Sequence, residues 1–325
     1  MPVLILLVGV ILLLILLVQY KAACSVYRFG LVRATDDKDI EKIMKPAKYG
    51  DSPHRVAAEK AKAYLADCPH EDLYTTSFDD LKLHAFFYPC KEDQKKYVIW
   101  CHGFKSHAMR ESAPYIEFYH SMGYHCVIVD MRAHGESEGE TLGLGVKDRF
   151  DVISWADFLV DSYGEDISIL LHGVSMGSAA VLSATGEPTL PKQVKGVTAD
   201  CGYTSIAEML SLNLSSSAAS VFIKPVIFLC ERMCKRRLGF DFHHDSPLEL
   251  VANSKTPTLI IHGNKDDIVP SSMAQKLYNS CSAPKDMLIV KNAAHGQSIA
   301  VDPVRYHEKM MLFHHMIDTV DDNDI

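Results

Sequence analysis

Three residue types far apart in the chain could together cleave an acyl bond. Ser175 stands between two glycines in "GVSMG", Asp266 follows an apolar run in "HGNKDDIVP", and His295 follows another in "NAAHGQS". A serine hydroxyl attacks a carbonyl carbon only when a base takes its proton, and an imidazole serves as that base when an acid fixes its tautomer and orientation. The order serine, acid, histidine is one in which such a relay is assembled. Gly173-Val174-Ser175-Met176-Gly177 matches a strand-turn-helix motif that mounts a serine on a sharp turn, with "ISILL" before it and "SAAVLSATG" after it. Side chains in place of the two glycines would collide with the neighbouring strand and helix. Asp266 is the expected acid because the loop should turn directly after the strand, with Val269 and Pro270 leading into the next helix; Asp267 is left to cap or to pair. Taken alone, a loop aspartate is usually a turn residue and a single histidine usually a satisfied one. Their order, each at the end of an apolar run, gives the set its weight.

The oxyanion formed on attack needs N-H donors, commonly the one after the nucleophile and one from a loop after an earlier strand. Met176 supplies the first, and Phe104 in "WCHGFKSH" the second, with His102 and Gly103 letting that loop pass close to the serine. His102 as a metal ligand is the competing idea, but no second ligand accompanies it at useful spacing. Neither metal nor cofactor is called for.

Groups this far apart need a scaffold that gathers them. "KYVIWCHG", "YHCVIVDMRAHG", "ISILLHGVSMG", "VKGVTADCGYTS", "TPTLIIHGNKDD" and "KDMLIVKNAAHG" are strand-length runs of nearly continuous hydrophobicity, as parallel strands covered on both faces should be. "ESAPYIEFYHSMG" and "GVKDRFDVISWADFLVDSYG" between them are long enough for crossover helices, and this alternation predicts an α/β sheet. Most runs end in polar residues, among them His102, His134, Ser175, Asp266 and His295, so the carboxyl edge of the sheet becomes the candidate site. "LYTTSFDDLKLHAFFYP" predicts a leading hairpin, and Ser52-Pro53 a helix start before it. The 325 residues, 48% hydrophobic and 23% charged, fit one large domain, and a net charge of -8 disfavours nucleic acid as a partner.

The N-terminus is different in kind. Val3 to Val18 carries no charge, close to the short end of what spans a bilayer. No basic region precedes it and no small-residue cleavage site follows, so an uncleaved anchor is expected over a signal peptide. Lys21, Arg28, Arg33 and Lys38 all follow the span, and the nine cysteines lack disulfide spacing; both features put the main domain on the cytoplasmic side of a single-pass membrane protein. The expected layout is an anchor over 1–20, a juxtamembrane connector over 21–50 and a hydrolase domain over 51–320.

From about residue 74 to 318 the chain resembles the α/β-hydrolase superfamily, and within it a bacterial serine-hydrolase group that includes monoacylglycerol-lipase-like and serine-aminopeptidase-like members. "CHGF", "VDMRAHGES", "HGVSMGSAA", "DCGYTS", "HGNKDDIVP" and "AAHGQS" carry the resemblance. It implies the α/β-hydrolase fold, a mostly parallel central sheet flanked by helices, with Ser175 as nucleophile, Asp266 as orienting acid, His295 as base and then acid, and Phe104 with Met176 as oxyanion donors. His134 receives no catalytic role from it, and Lys105 departs from the small or neutral residue usual there. The resemblance also implies a helical cap insertion, about 205–246, above Ser175. An apolar underside there would favour acyl substrates, although the same side chains could simply pack the cap onto the sheet. Lys235, Arg236 and Arg237 could meet anionic lipid or only water; Cys230 and Cys234 are too few for zinc. The expected activity is hydrolysis of a small ester or acyl substrate through an acyl-enzyme. A peptidase or acyltransferase, and a membrane-tethered binding module without turnover, are the alternatives; oligomeric state is left open.

Overall fold

The computed structural model describes residues 2–33, 61, 63–92, 95–106, 108–214, 220–240 and 244–319. The helix start expected at Ser52-Pro53 and the connector from residue 34 to 50 lie outside the described residues.

The hairpin and the six expected runs form the strands of one sheet: β1 (Glu71–Thr76), β2 (Lys82–Tyr88), β3 (Lys96–Cys101), β4 (Tyr124–Asp130), β5 (Ser168–Val174), β6 (Val194–Asp200), β7 (Thr258–Gly263) and β8 (Lys285–Val290). Their spatial order is β1-β2-β4-β3-β5-β6-β7-β8. β2 runs antiparallel to both its neighbours, and the pairs from β4 through β8 are all parallel. Along β3, Tyr97, Ile99 and Cys101 enter one core while Val98 and Trp100 enter the other, the alternation a pleated strand imposes. Both faces are covered, which is why these strands read as unbroken apolar runs.

The described helices are α1 (Pro2–Leu31), α2 (Ala108–Ser121), α3 (Asp148–Tyr163), α4 (Met176–Ala184), α5 (Ile206–Leu214), α6 (Ser220–Leu238), α7 (Pro247–Val251), α8 (Ser272–Ser280), α9 (Ser298–Val301) and α10 (Pro303–Thr319). α2 and α10 close one face of the sheet through Tyr115, Ile116, Tyr306 and Phe313; α3, α4 and α8 close the other through Trp155, Val181 and Leu277. Trp100 and Trp155, one in each core, are fully buried. Truncating either to alanine would cost about 3–5 kcal/mol. α5 and α6 lie between β6 and β7.

Among the described residues α1 is the one helix long and apolar enough to cross a membrane, and its apolar run stands clear of the core. It does not end with that run. The helix continues to Leu31, and Tyr27 and Leu31 pack against Cys230, Cys234 and Leu238 of α6. Beyond it the Leu31 carbonyl accepts the Leu142 N–H at 2.7 Å, and the Arg33 guanidinium donates to the Gly135 and Ser137 carbonyls at 2.5 and 2.6 Å. The change at residue 20 is thus one of composition, while the backbone stays helical and ends locked into the domain.

Candidate active site

β5 ends at Val174 and α4 begins at Met176, so Ser175 makes the whole turn. Its φ of 55° and ψ of -111° lie where residues with a side chain rarely sit. The flanking glycines permit it: a Cβ on Gly173 would lie 2.2 Å from the Gly177 carbonyl oxygen, and one on Gly177 2.1 Å from that of Cys101 on β3. The Ser175 N–H is held by the Asp200 carbonyl at the end of β6, 2.9 Å away.

The three side chains picked out from sequence converge. The Ser175 hydroxyl faces His295 Nε2 at 2.8 Å, and His295 Nδ1 faces Asp266 Oδ2 at 2.7 Å. With Nδ1 donating to the carboxylate, Nε2 is left to accept the serine proton. Asp266 is fixed from its other side, where Oδ1 accepts the N–H groups of Ile268 and Val269 at 3.0 and 2.8 Å. Burial alone would raise this carboxyl, but His262, His295 and the Val269 N–H outweigh it and hold the group well below the usual carboxylate range.

His262 was not singled out from sequence. It lies on β7, fully buried, with Nε2 at 2.8 Å from the Val269 carbonyl and 3.1 Å from Asp266 Oδ2. Burial lowers its pKa, yet the hydrogen bond and charge of Asp266 raise it overall. The triad carboxylate therefore sits between two imidazoles. The signal was present, a histidine four residues before the acid in "HGNKD", but a histidine inside an apolar strand reads as core.

The loop after β3 passes against the nucleophile: a Cβ on Gly103 would lie 3.5 Å from that of Ser175. Glu111, in the first turn of α2, accepts the Gly103 N–H at 2.9 Å and a hydrogen bond from the Ser106 hydroxyl, pinning the loop. His102 Nε2 accepts the Met131 N–H at 3.1 Å and its Nδ1 donates to the Gly103 carbonyl at 2.8 Å. Both nitrogens are thus engaged, which accounts for this histidine without a metal. His134 acts in kind, accepting the Lys105 N–H at 3.1 Å and donating to the Arg132 carbonyl at 3.0 Å. Burial pushes both imidazoles down, so they hold the loop as neutral rings. Of the expected oxyanion donors, Phe104 follows Gly103 on this loop and Met176 opens α4. Lys105 turns its ammonium over the rings of Phe29 and Phe104, 5.2 and 5.7 Å from their centroids, so the departure noted in sequence joins the loop to α1.

The C-terminal half of α6 packs against α1 and the domain. Cys230, Cys234 and Leu238 are buried against Tyr27 and Leu31, in a cluster that reaches Ala179, Val269 and Met273 beside the nucleophile helix and the acid loop. All nine cysteines are free thiols.

A mainly parallel eight-stranded sheet with one antiparallel strand, a serine elbow after β5 and a histidine loop after β8 give the chain the α/β-hydrolase fold. A family model described as serine aminopeptidase, S33, matches residues 92–226, and one described as serine hydrolase (FSH1) matches 203–296. Ser175 falls in the first match, Asp266 and His295 in the second. The chain is 25% identical over 249 residues to the uncharacterized Bacillus subtilis protein YqkD, covering 73% of this chain and 81% of that one. It is also 25% identical over 186 residues to the uncharacterized membrane protein YNL320W of Saccharomyces cerevisiae, 57% of this chain and 59% of the other. Among solved structures, the Pyrococcus furiosus esterase Pf2001 superposes with a TM-score of 0.59 at 24% identity, covering 77% of this chain and 93% of that one. A puromycin-hydrolyzing peptidase of Mycobacterium tuberculosis gives 0.59 at 19% identity, over 77% of this chain and 39% of its own.

Proposed function

We propose that the protein is a membrane-anchored serine hydrolase that cleaves an ester-type acyl substrate through an acyl-enzyme. The observation that carries this is the unbroken relay from Ser175 through His295 to Asp266, with bonds of 2.8 and 2.7 Å. In it, Ser175 Oγ attacks the acyl carbonyl as its proton passes to His295 Nε2, and Asp266 stabilises the resulting imidazolium. The N–H groups of Met176 and Phe104 receive the oxyanion. Collapse expels the alcohol, which takes the proton from His295. Water, deprotonated by the same imidazole, then attacks the acyl-serine and frees the acid.

Residues 1–20 are the anchor, 51–320 the hydrolase domain and about 205–246 its cap, with the catalytic domain on the cytoplasmic side. The position of α1 supports the tether. From Val18, where its apolar run ends, to Phe29, under Lys105 of the oxyanion loop, the helix rises only about 16 Å. A continuous helix of that length holds the mouth of the site near the headgroups, where acyl esters are concentrated.

The match to a serine aminopeptidase model favours a second reading, cleavage of an aminoacyl amide by the same relay. Turnover of p-nitrophenyl esters of graded chain length and of aminoacyl p-nitroanilides by the full-length protein in detergent separates the two. Esters hydrolysed faster than anilides are expected; the reverse ranking establishes the peptidase, and no turnover of either by folded protein favours a binding module.

A further inference from the structure

We propose that the first half of α6 is a second, shallow insertion into the membrane, and that the groove between it and α1 takes the acyl chains of a leaflet bearing anionic lipids. This rests on the reading of α1 as a membrane span. Ile11, Leu14, Ile15 and Val18 of α1 face Ile223 and Val226 of α6 across a groove of about 490 Å³. Nearer the domain, Tyr20 shares a second groove with Phe228, Leu229 and Arg232, and farther along the Arg237 guanidinium lies 5.4 Å from the centroid of the Tyr27 ring. The two helices therefore run side by side in the same direction, and depth along α1 becomes a ruler for α6.

On that ruler Ile223 and Val226 stand at the level of the uncharged run, inside the hydrocarbon if α1 is. Phe228, 58% exposed, stands at the level of Tyr20, where the apolar run gives way to Lys21. Arg232, Lys235, Arg236 and Arg237 follow at headgroup level. The composition of α6 changes at the same height, from "SVFIKPVIFLC" to "ERMCKRR". Lys224 is the one charge in the apolar half; it is exposed, and its four-carbon stem can carry the ammonium toward the interface. Two helices that change from apolar to basic at matching depth fit a leaflet: chains below, anionic headgroups above. Among the described residues nothing covers the groove, whereas lipid tails would fill it without any specific contact.

Tryptophan quenching tests this directly. The two native tryptophans, Trp100 and Trp155, are fully buried in the core, so brominated lipids should leave them bright. Full-length Ile223→Trp, Val226→Trp, Leu14→Trp and Lys192→Trp variants are reconstituted into vesicles of phosphatidylcholine and phosphatidylglycerol, brominated or plain. The expected result is loss of the added emission at 223 and 226 comparable to that at 14, with none at 192. Quenching at 14 but at neither 223 nor 226 overturns the insertion and leaves the anchor standing. No quenching at 14 rejects the anchor reading and this proposal with it. Quenching at 14 and protection at 223 that appears only at high protein density would assign the groove to a second copy, again overturning the lipid occupant. Replacing Arg232, Lys235 and Arg236 together by glutamine should abolish any phosphatidylglycerol dependence of the signal at 228 in Phe228→Trp; an unchanged dependence counts against the headgroup contact.

Discussion

Asp200 ends β6 and Asp266 lies three residues past the end of the neighbouring parallel strand β7; both carboxyls are buried, and they are driven in opposite directions. Asp266 accepts two main-chain N–H groups on one oxygen and lies between two imidazoles on the other, so it stays ionised despite burial. Asp200 accepts one close hydrogen bond, from the Ser298 hydroxyl at 3.1 Å, and its second oxygen makes none. Burial there prevails over His262, Ser298 and Tyr306 and pushes the carboxyl up to about 6. The number of donors, not residue type or strand position, separates the charged member of the relay from a carboxyl that is half neutral near that pH. Asp200 bears on the site through its main chain, whose carbonyl accepts the Ser175 N–H.

The sharpest way to break this contrast is to neutralise each carboxylate in turn. Asp266→Asn should lower kcat about 10⁴-fold, because an amide cannot hold His295 in the tautomer that accepts the serine proton. A loss no larger than that of Asp200→Asn would erase the distinction. Next in size is His262. Removing its N–H in His262→Leu leaves a buried carboxylate short of one charge-assisted bond, and kcat should fall about tenfold with KM unchanged. His262→Gln, which keeps a donor, should recover most of that loss; a Gln variant as slow as Leu would reduce His262 to packing.

Asp200→Asn should act on stability instead, with a definite sign in pH. Its native pKa is raised above the ordinary carboxylate value of 3.8, so the native state holds the proton longer and wild-type stability falls as pH climbs from about 3.8 to about 6. The asparagine variant escapes that loss. Relative to wild type it should gain up to about 3 kcal/mol across the window and keep the gain above it, read as urea midpoints at pH 4 and pH 7. Asp266 contributes with the opposite sign: its stabilisation is present above the unfolded value and disappears as pH falls through the depressed native one. The smallest effect belongs to Asp267→Asn, where kcat should stay within about twofold, since Asp267 is exposed and Asp266 keeps its bonds to His295, Ile268 and Val269.

The strands and the triad were legible in the sequence for a common reason. Parallel strands buried on both faces leave long apolar runs, and the carboxyl edge of the sheet collects whatever follows each run, so Ser175, Asp266 and His295 stood out by position as much as by type. What supports them did not stand out. His262 lies within β7 as a fully buried ring, and a histidine that only positions its neighbours has the same local sequence as one that catalyses. Glu111 is an acid in the first turn of a helix, and only the fold brings the Gly103 N–H to 2.9 Å from it. The end of α1 was hidden for another reason: the apolar run stops at Val18, but helix continues through "QYKAACSVYRFGL" because Tyr27 and Leu31 find partners on α6, about two hundred residues later.

The chemistry itself is tested most directly by a fluorophosphonate probe, which forms a stable adduct with an activated serine hydroxyl. Intact-mass and peptide mapping of the labelled wild-type protein should find one adduct, on Ser175, formed far more slowly in Asp266→Asn and absent in folded Ser175→Ala. An adduct that persists in Ser175→Ala, or one mapped to another serine, would contradict the assignment of Ser175 as nucleophile.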